Sequence, residues 1–257
     1  MYNRSMKKWN WKRILYWCTV FVLLAVFVVS GYMVWQNYKE ETNSGDQYEA
    51  LEELIEEEPA DEKAPLTAAE KYAAVAAKNE HFVGWVSIEG TPLNYPVVQT
   101  PNDPEYYLRR GYDQKYSYYG VPFADAACTV PGGDNIVIYG HNMDNGTMFA
   151  ALEDYRKKSF YEAHRYLRFD TLEGYGTYEV IAVVKTVAGA ADEFKYYQFT
   201  DATDAAEFEA YVEECKKRSL YEIEATAAYG DELLTLSTCE YTNENGRIAV
   251  IAKKIPA

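Results

Sequence analysis

The sequence predicts a mainly β fold with helical additions, attached to a membrane by one N-terminal helix. Three observations support this prediction. Residues 14–35 form a run of 22 residues without a charge. From Gly84 onward, short segments rich in Val, Ile and Tyr are separated by Gly, Pro, Asn and Asp, a pattern typical of a closed or half-closed mixed barrel. Two later segments show apolar residues at helical spacing instead.

The uncharged run is long enough to cross a bilayer. At about 1.5 Å per residue a helix of this length spans ~33 Å. Five basic residues and no acidic residue precede it, within residues 1–13. The positive-inside rule then predicts a cytoplasmic N-terminus and an extracellular remainder. A cleaved signal peptide is the alternative, but its apolar core usually has only about 7–15 residues. We therefore expect a cytoplasmic basic tail at 1–13 and a retained transmembrane signal-anchor at 14–35, which places the protein in the cell membrane as a single-pass protein.

The remainder of the chain is strongly acidic. The formal net charge is −15, and because residues 1–13 contribute +5 and residues 14–35 none, residues 36–257 carry −20. This charge argues against nucleic acid and anionic lipid as partners. Eleven acidic residues and no basic residue lie between Glu40 and Glu62. Residues 36–65 are therefore predicted to be an extended or loosely helical linker, with one folded domain at 66–257.

Within the folded domain the elements can be assigned in order. An Ala-rich helix opens with a capping-box spacing from Thr67 to Glu70 and runs to about Lys78. Strands are predicted near 84–88, 94–98, 121–124, 135–140, 166–170, 177–187, 232–239 and 247–254. Helical spacing is found at 145–155, as a packing stripe, and at 201–221.

The segment ending in Cys239 contains a candidate nucleophile. Along the predicted strand, polar Thr235, Ser237 and Cys239 alternate with Leu234, Leu236 and Thr238. A period of two then places Cys239 on the polar face. A turn at 243–246 returns the chain into the last strand, which begins with Arg247. This hairpin brings a guanidinium near the thiol, where it stabilises a thiolate or an oxyanion on a substrate carbonyl.

A nucleophilic cysteine needs a base, and the chain has three histidines. His141 follows an apolar strand at the point where the chain turns, a position from which scaffolds often present catalytic groups. His81 and His164 lie in polar contexts and are interpreted as structural.

The other cysteines form no Cys-x-x-Cys pair and no metal-ligand spacing. A Cys128–Cys215 disulfide is a minor alternative to two packed thiols.

Several motifs in this order resemble class B sortases, the cysteine transpeptidases that attach proteins to the cell wall of Gram-positive bacteria. The resemblance covers roughly residues 66–255. It rests on Tyr-Gly-His-Asn-Met at 139–143, Thr-Leu-Ser-Thr-Cys at 235–239 and the arginine that follows. Further matching segments are Gly-Trp-Val-Ser-Ile at 84–88, Asn-Tyr-Pro-Val-Val-Gln at 94–99, Tyr-Tyr-Leu at 106–108, Gly-Val-Pro-Phe-Ala-Asp at 120–125 and Thr-Met-Phe-Ala-Ala-Leu at 147–152.

The resemblance implies an eight-stranded sortase-type β-barrel with an N-terminal helix and a long helix in the loop before the catalytic strand. That helix, predicted at 201–221, distinguishes class B from class A. It also implies the chemistry: Cys239 attacks the carbonyl of a threonine in a sorting signal, His141 acts as general acid and base, and Arg247 stabilises the oxyanion. No cofactor and no metal are expected.

The resemblance further implies a substrate cleft. Asn94 and Val98 match positions that bind the sorting signal, and Tyr139, Ser237 and Glu240 flank the catalytic groups. For Tyr139 and Ser237, ordinary strand packing is the alternative. Cysteine and arginine are eight residues apart here, as in some class B members, while others have ten. The motif, Asn-Pro-x-Thr-Asn-like or (Ser/Asn/Pro)-Pro-x-Thr-Gly-like, therefore stays open.

The expected partners are surface proteins that bear such a signal and, as acceptor, a peptidoglycan cross-bridge amine or a lipid-linked precursor. Two other hypotheses remain at this stage. A cysteine endopeptidase would use the same three residues with water as the acceptor. A non-catalytic surface-binding module would not need all three.

Overall fold

The computed structural model describes residues 11–56, 66–241 and 244–256. The chain divides into two compact units, Met1–Gly45 and Asp46–Ala257. Residues 1–10 of the predicted basic tail, the last part of the predicted linker and part of the turn after Cys239 lie outside the described residues.

The first unit contains most of helix α1, which runs from Trp11 to Glu56. An 18-residue window of this helix has a mean hydropathy of 2.4, and none of it is buried. Its large side chains, such as Phe21 and Phe27, are exposed. By length and composition this helix can cross a membrane.

The second unit contains a closed barrel of eight strands. The strands are β1 (Phe82–Ser87), β2 (Asn94–Val98), β3 (Phe123–Ala124), β4 (Asn135–Tyr139), β5 (Tyr166–Asp170), β6 (Thr177–Val187), β7 (Leu233–Glu240) and β8 (Gly246–Ile255). Their order around the barrel is β1-β2-β3-β4-β7-β8-β6-β5, and β5 pairs with β1 to close it. Each strand falls within two residues of its predicted position. The mainly β fold with helical additions is therefore confirmed.

Two cores lie on opposite faces of the long strands. Side chains such as Leu234, Leu236 and Ile248 fill the barrel interior. Their strand neighbours, including Leu233 and Ala249, face outward and pack with helix α4 (Ala205–Arg218). This second core exists because α4 covers the outer face of β6.

Helix α4 confirms the helix predicted before the catalytic strand. It begins at the N-cap Asp204, whose carboxylate accepts from the Glu207 amide at 2.9 Å. Its buried face carries Phe208, Tyr211, Val212 and Cys215. The shorter helix α2 (Ala68–Ala76) is likewise confirmed, with the complete capping box between Thr67 and Glu70. A further short helix, α3, spans Lys158–Ala163.

The predicted linker differs from the structure. Residues 36–56 continue α1, and the part from residue 46 belongs to the barrel unit. Tyr48 and Leu51 are buried there, and the Tyr48 hydroxyl donates to the Gly120 carbonyl. Apolar residues at helical spacing within the acidic run dock this segment, so its charge does not keep it extended.

The helix predicted at 145–155 also differs. Met148 adopts a left-handed backbone (φ 57°) and bridges to Asn142, so no helix passes through it. A 3-10 helix follows at Ala150–Arg156. The packing prediction holds, because Met148, Phe149, Leu152 and Tyr155 are all buried.

Candidate active site

The parallel pairing of β4 with β7 aligns His141 with Cys239. Tyr139 lies opposite Ser237 in this pair, so two residues further on the histidine and the cysteine share a register position. Three bonds continue the alignment beyond β4. The Gly140 amide donates to the Ser237 carbonyl (3.1 Å), the Thr238 hydroxyl to the Gly140 carbonyl (2.7 Å), and the Asn142 side chain to the Cys239 carbonyl (2.9 Å). The loop that carries His141 is thus fixed to the strand that carries the thiol.

Antiparallel pairing of β7 with β8 adds the arginine to the same row. Cys239 lies directly opposite Arg247. Residues directly opposite in a sheet point to the same face, with their Cβ atoms ~5 Å apart. The guanidinium Nη1 donates to the Gly246 carbonyl at 2.9 Å. Cys239 and Arg247 therefore share one row on β7 and β8, and the loop after β4 places His141 at the next position of that row.

This row lies on the outer face of the barrel. Ser237 and Thr235, on the same face as Cys239, are 1% and 0% exposed because the second core covers them. The Ser237 hydroxyl contacts the Tyr196 hydroxyl at 2.5 Å, and Thr235 donates to Asn135 at 2.9 Å. Cys239 itself is half-buried, at the point where this cover ends. The predicted polar face exists, and most of it is buried.

The imidazole of His141 is held in one tautomer. Its Nε2 lies 2.8 Å from the Leu108 carbonyl, and because a carbonyl can only accept, Nε2 carries the proton. Burial lowers the pKa of His141, the Arg109 charge lowers it further, and the bond to Leu108 opposes both. We therefore expect a neutral imidazole at pH 7, with its lone pair on Nδ1.

Tyr196 belongs to the second core, which covers the site, and the charge of Arg247 affects its pKa. Burial raises its pKa to about 12, while its bond to Ser237 and the positive charge of Arg247 act in the opposite direction. It lies in a 3-10 helix at Tyr196–Gln198, between β6 and β7. No signal in the sequence pointed to this residue, because nothing along the chain links it to β7.

Two of the five proposed substrate residues lie next to the catalytic row. Ser237 is two residues before Cys239, and Tyr139 is two residues before His141. The Tyr139 hydroxyl donates to Asp125 at 2.8 Å, and its ring contacts that of Phe123. Both side chains therefore have protein partners in the substrate-free protein, as the packing alternative requires.

Asn94 and Val98 lie on β2, three strands from β7 in the barrel order. Neighbouring strands are ~4.8 Å apart, so this separation is ~14 Å, which an extended pentapeptide can span. Asn94 accepts from the Trp85 indole at 2.6 Å and donates to Glu52 of α1 at 2.5 Å. Val98 is fully buried.

The Glu240 side chain, assigned to the cleft by resemblance, is buried and points away from the face that carries Cys239. Glu240 follows Cys239 directly, so strand alternation points its side chain to the opposite, interior face. The carboxylate is buried and pairs with Lys185 at 2.9 Å and with Arg156 at 3.4 Å. Asn142, Lys185 and Arg156 are site neighbours that sequence reasoning missed.

The row combines groups that acyl transfer requires. The half-buried thiol is a nucleophile, and the imidazole at the same register position can carry a proton. The guanidinium opposite the thiol supplies a fixed positive charge.

Among residues 11–56, 66–241 and 244–256, no group of three or more His, Cys, Asp or Glu side chains is arranged to hold a metal.

Comparison with known proteins agrees with this geometry. Residues 86–255 match the model of the sortase domain. Sortase B of Staphylococcus aureus (strain NCTC 8325 / PS 47) is 30% identical over 237 residues, covering 91% of this chain and 94% of the relative. Sortase B of Listeria monocytogenes serovar 1/2a (strain ATCC BAA-679 / EGD-e) is 30% identical over 239 residues, with the same coverage.

The solved structure of a Staphylococcus aureus sortase B–substrate complex superposes with a TM-score of 0.74 and 28% identity. It covers 85% of this chain and 99% of that one. The barrel with its added helices, the family model and the two relatives all agree. This chain belongs to the sortase family of cysteine transpeptidases, within class B.

Proposed function

We propose that this protein is a membrane-anchored transpeptidase that cleaves a C-terminal sorting signal after threonine and transfers the protein to a cell-wall amine. The observation that carries the proposal is the row formed by Cys239 on β7, Arg247 on β8 and His141 in the loop after β4. Family membership supplies the reaction class, and this row supports assigning the reaction to these three residues.

In the first half-reaction the Cys239 sulfur attacks the threonine carbonyl carbon. The thiol proton passes to His141, and the oxygen becomes an oxyanion beside Arg247. The C–N bond then breaks, and the leaving amine takes the proton from His141. The product is a thioacyl enzyme, and a neutral His141 in the resting state can accept the proton that this step releases.

In the second half-reaction an amine attacks the thioester carbon. His141 removes a proton from the amine, Arg247 again faces the oxyanion, and the C–S bond breaks to return a protonated thiol. The acceptor is a peptidoglycan cross-bridge amine or its lipid-linked precursor. An amide has been exchanged for an amide, so the reaction needs no oxidant, metal or nucleotide.

The membrane part of the proposal rests on α1. Its apolar half crosses the bilayer, the basic tail stays in the cytoplasm, and the acidic barrel unit lies outside the cell. The catalytic domain then includes residues 46–56 of α1 in addition to residues 66–257, because Tyr48 and Leu51 belong to its core.

The substrate is proposed to be a surface protein with an Asn-Pro-x-Thr-Asn-like or (Ser/Asn/Pro)-Pro-x-Thr-Gly-like motif. The Staphylococcus aureus relative was solved as a substrate complex, which supports a peptide ligand on the same fold. We assign Tyr139 and Ser237 to the reacting end of the cleft, next to the catalytic row, and Asn94 and Val98 to its far end.

The test uses the full chain in detergent micelles with one fluorescent peptide for each motif, with and without triglycine as an amine acceptor. We expect cleavage after threonine, and a ligated product only when triglycine is present. Cleavage with the same rate and the same products whether or not triglycine is present would favour the cysteine endopeptidase. Cys239→Ala is the matched control and should give neither product, whereas binding without turnover by the wild type would favour the surface-binding module.

A further inference from the structure

A cluster of charges centred on the buried Glu240 lies behind the catalytic row, with Arg156 at its exposed edge. It contains Glu240, Lys185, Arg156 and Glu153, here called the ion cluster. The Glu240 side chain is 0% exposed and that of Lys185 is 23% exposed. Buried charges are costly unless paired, and ion pairs of this kind are often no more stabilising than apolar residues would be. Stability alone therefore does not explain the cluster.

The pair between Glu240 and Lys185 lies on the interior side of the barrel wall, behind the thiol. Cys239, Arg247 and Thr186 share one register row on β7, β8 and β6. Glu240 and Lys185 each neighbour a member of that row along the chain, so both point to the other face. There the carboxylate Oε2 and the lysine Nζ are 2.9 Å apart. The pair joins β7 to β6 across the interior side of β8.

The other carboxylate oxygen connects β7 to the loop of His141. Glu240 Oε1 lies 3.4 Å from Arg156, which lies 3.3 Å from Glu153. The Asn142 side chain reaches Glu153 at 3.5 Å and donates to the Cys239 carbonyl at 2.9 Å. The contacts therefore run from Glu240 through the loop and back to Cys239, and Asn142 is the residue after His141.

We propose that Glu240 is a positioning residue which, through Lys185 and Arg156, fixes the end of β7 and thereby the placement of the Cys239 thiol relative to His141. It acts from the opposite face of the strand and does not touch substrate. The proposal rests on the proposed function of the catalytic row. It replaces the cleft-lining role that the sequence predicted for Glu240.

The principal test is Glu240→Gln, which keeps the shape of the side chain and removes its charge. We expect kcat to fall by on the order of 10–100-fold, because a displacement of about 1 Å has that effect on an aligned reaction. The KM for the peptide should stay within about threefold, because uniform substrate binding is retained. A raised KM with normal kcat would make Glu240 a substrate contact and overturn the proposal.

A readout without substrate separates this proposal from the proposed function. The rate at which iodoacetamide alkylates Cys239 is measured against pH in wild type and in Glu240→Gln. A shifted profile in the variant supports the positioning role, because the reactivity of a thiol depends on the charged groups placed beside it. An unchanged profile overturns it. This result stands even if the wild type turns over no peptide, which would instead contradict the proposed function.

The matched control is Glu232→Gln, just before the other end of β7. Glu232 pairs with Lys254 at 3.1 Å and accepts from the Tyr178 hydroxyl. It is eight residues from Glu240, ~26 Å along an extended strand. We expect normal kcat and a normal alkylation profile in this variant. Equal losses in both variants would show a general stability effect and overturn the proposal.

A second variant covers the case in which Glu240→Gln does not fold because Lys185 is left without its carboxylate. Lys185→Met combined with Glu240→Gln removes both charges and leaves no uncompensated lysine. A low kcat with a cooperative melting transition supports the positioning role. A wild-type kcat in the double variant would show that Glu240 only neutralises Lys185, and would overturn the proposal.

Discussion

Arg247 and Cys239 face each other across β7 and β8, and this pairing determines what the arginine can do. In the proposed reaction, a guanidinium opposite the nucleophile lies beside the carbonyl oxygen once the sulfur has attacked. Charge develops on that oxygen only in the transition state. The position of Arg247 therefore favours a role in turnover over a role in ground-state binding.

The first prediction follows for Arg247→Lys, which keeps the charge and loses the planar set of donors. We expect kcat to fall by about 10²–10³-fold with little change in KM. Steady-state kinetics with the fluorescent peptide measures both values. Arg165→Lys, at an exposed arginine, is the control and should behave as wild type. A normal kcat with a raised KM would assign Arg247 to substrate binding.

The second prediction concerns His141, whose pKa is lowered mainly by burial. Because the unfolded histidine titrates near pH 6.5, the unfolded chain binds more protons than the folded one just below that pH. Stability from this group is constant above pH 6.5 and falls as the pH drops from 6.5 to the folded pKa. We expect an NMR titration of His141 with its midpoint below 6.5 and the Nε2–H tautomer. His141→Asn identifies the signal and should reduce the loss of Tm on acidification. A midpoint above 6.5 would contradict this account.

At the scale of elements, the loop after β4 controls where His141 lies. Gly140 precedes the histidine, and a Cβ there would lie 2.4–2.8 Å from three atoms of the Phe149 ring. Phe149 is fully buried, and its amide donates to the His141 carbonyl at 2.8 Å. A side chain at residue 140 would therefore press on a buried ring whose own backbone is bonded to His141.

The third prediction is therefore that Gly140→Ala impairs both stability and turnover. Overpacking of this kind costs about 1–3 kcal/mol. The Tm should fall by about 2–4 °C for each kcal/mol, and kcat should fall with it. Gly174→Ala is the control, since its Cβ would meet nothing within 4 Å. Equal Tm and kcat in the two variants would show that the Phe149 contact does not position the loop.

The end of helix α1 is the element that sequence reasoning misassigned. The charge of the acidic run predicted an extended or loosely helical linker, with no contact to the folded domain. Tyr48, Leu51 and Ile55 recur at helical spacing within the run, and Tyr48 and Leu51 are buried. The spacing was available in the sequence, but a two-turn apolar stripe is a weak signal without knowledge of the surface that receives it.

The fourth prediction tests that assignment with Leu51→Ala. Leu51 is 4% exposed, so truncation should destabilise the barrel unit by about 2–5 kcal/mol. Thermal melting of the full chain, followed by near-UV circular dichroism, measures the change. Leu23→Ala in the exposed apolar half of α1 is the control and should leave the melting temperature unchanged. Identical melting of the two variants would show that residues 46–56 are a linker that does not pack on the barrel.

At the scale of the whole molecule, the sequence predicted most of the barrel and less of its site. The eight strands were predictable because each is a short Val/Ile/Tyr segment between turn residues. The alternation from Thr235 to Cys239 gave the polar face, but Tyr196 and α4, which cover it, are distant in sequence. Glu240 could have been placed correctly, since a neighbour of Cys239 in a strand must face the other way. Family resemblance assigned it to the cleft instead.

The other thiols of the barrel unit are poor competitors of Cys239. Cys128 accepts from the Val137 amide at 3.3 Å, and Cys215 is buried on α4. Both are free, so the disulfide alternative is not supported. Burial raises the pKa of Cys128 to about 11 and that of Cys215 to about 12. Both thiols stay protonated and shielded at neutral pH.

The central claim is that Cys239 forms the thioacyl intermediate, and intact-protein mass spectrometry tests it most directly. The full chain is mixed with excess sorting-signal peptide without an amine acceptor and quenched with acid within one turnover. We expect one adduct with the mass of the peptide up to and including threonine, mapped to Cys239, and its loss when triglycine is added. An adduct on Cys128 or Cys215, or cleavage by Cys239→Ala at the wild-type rate, would contradict the account.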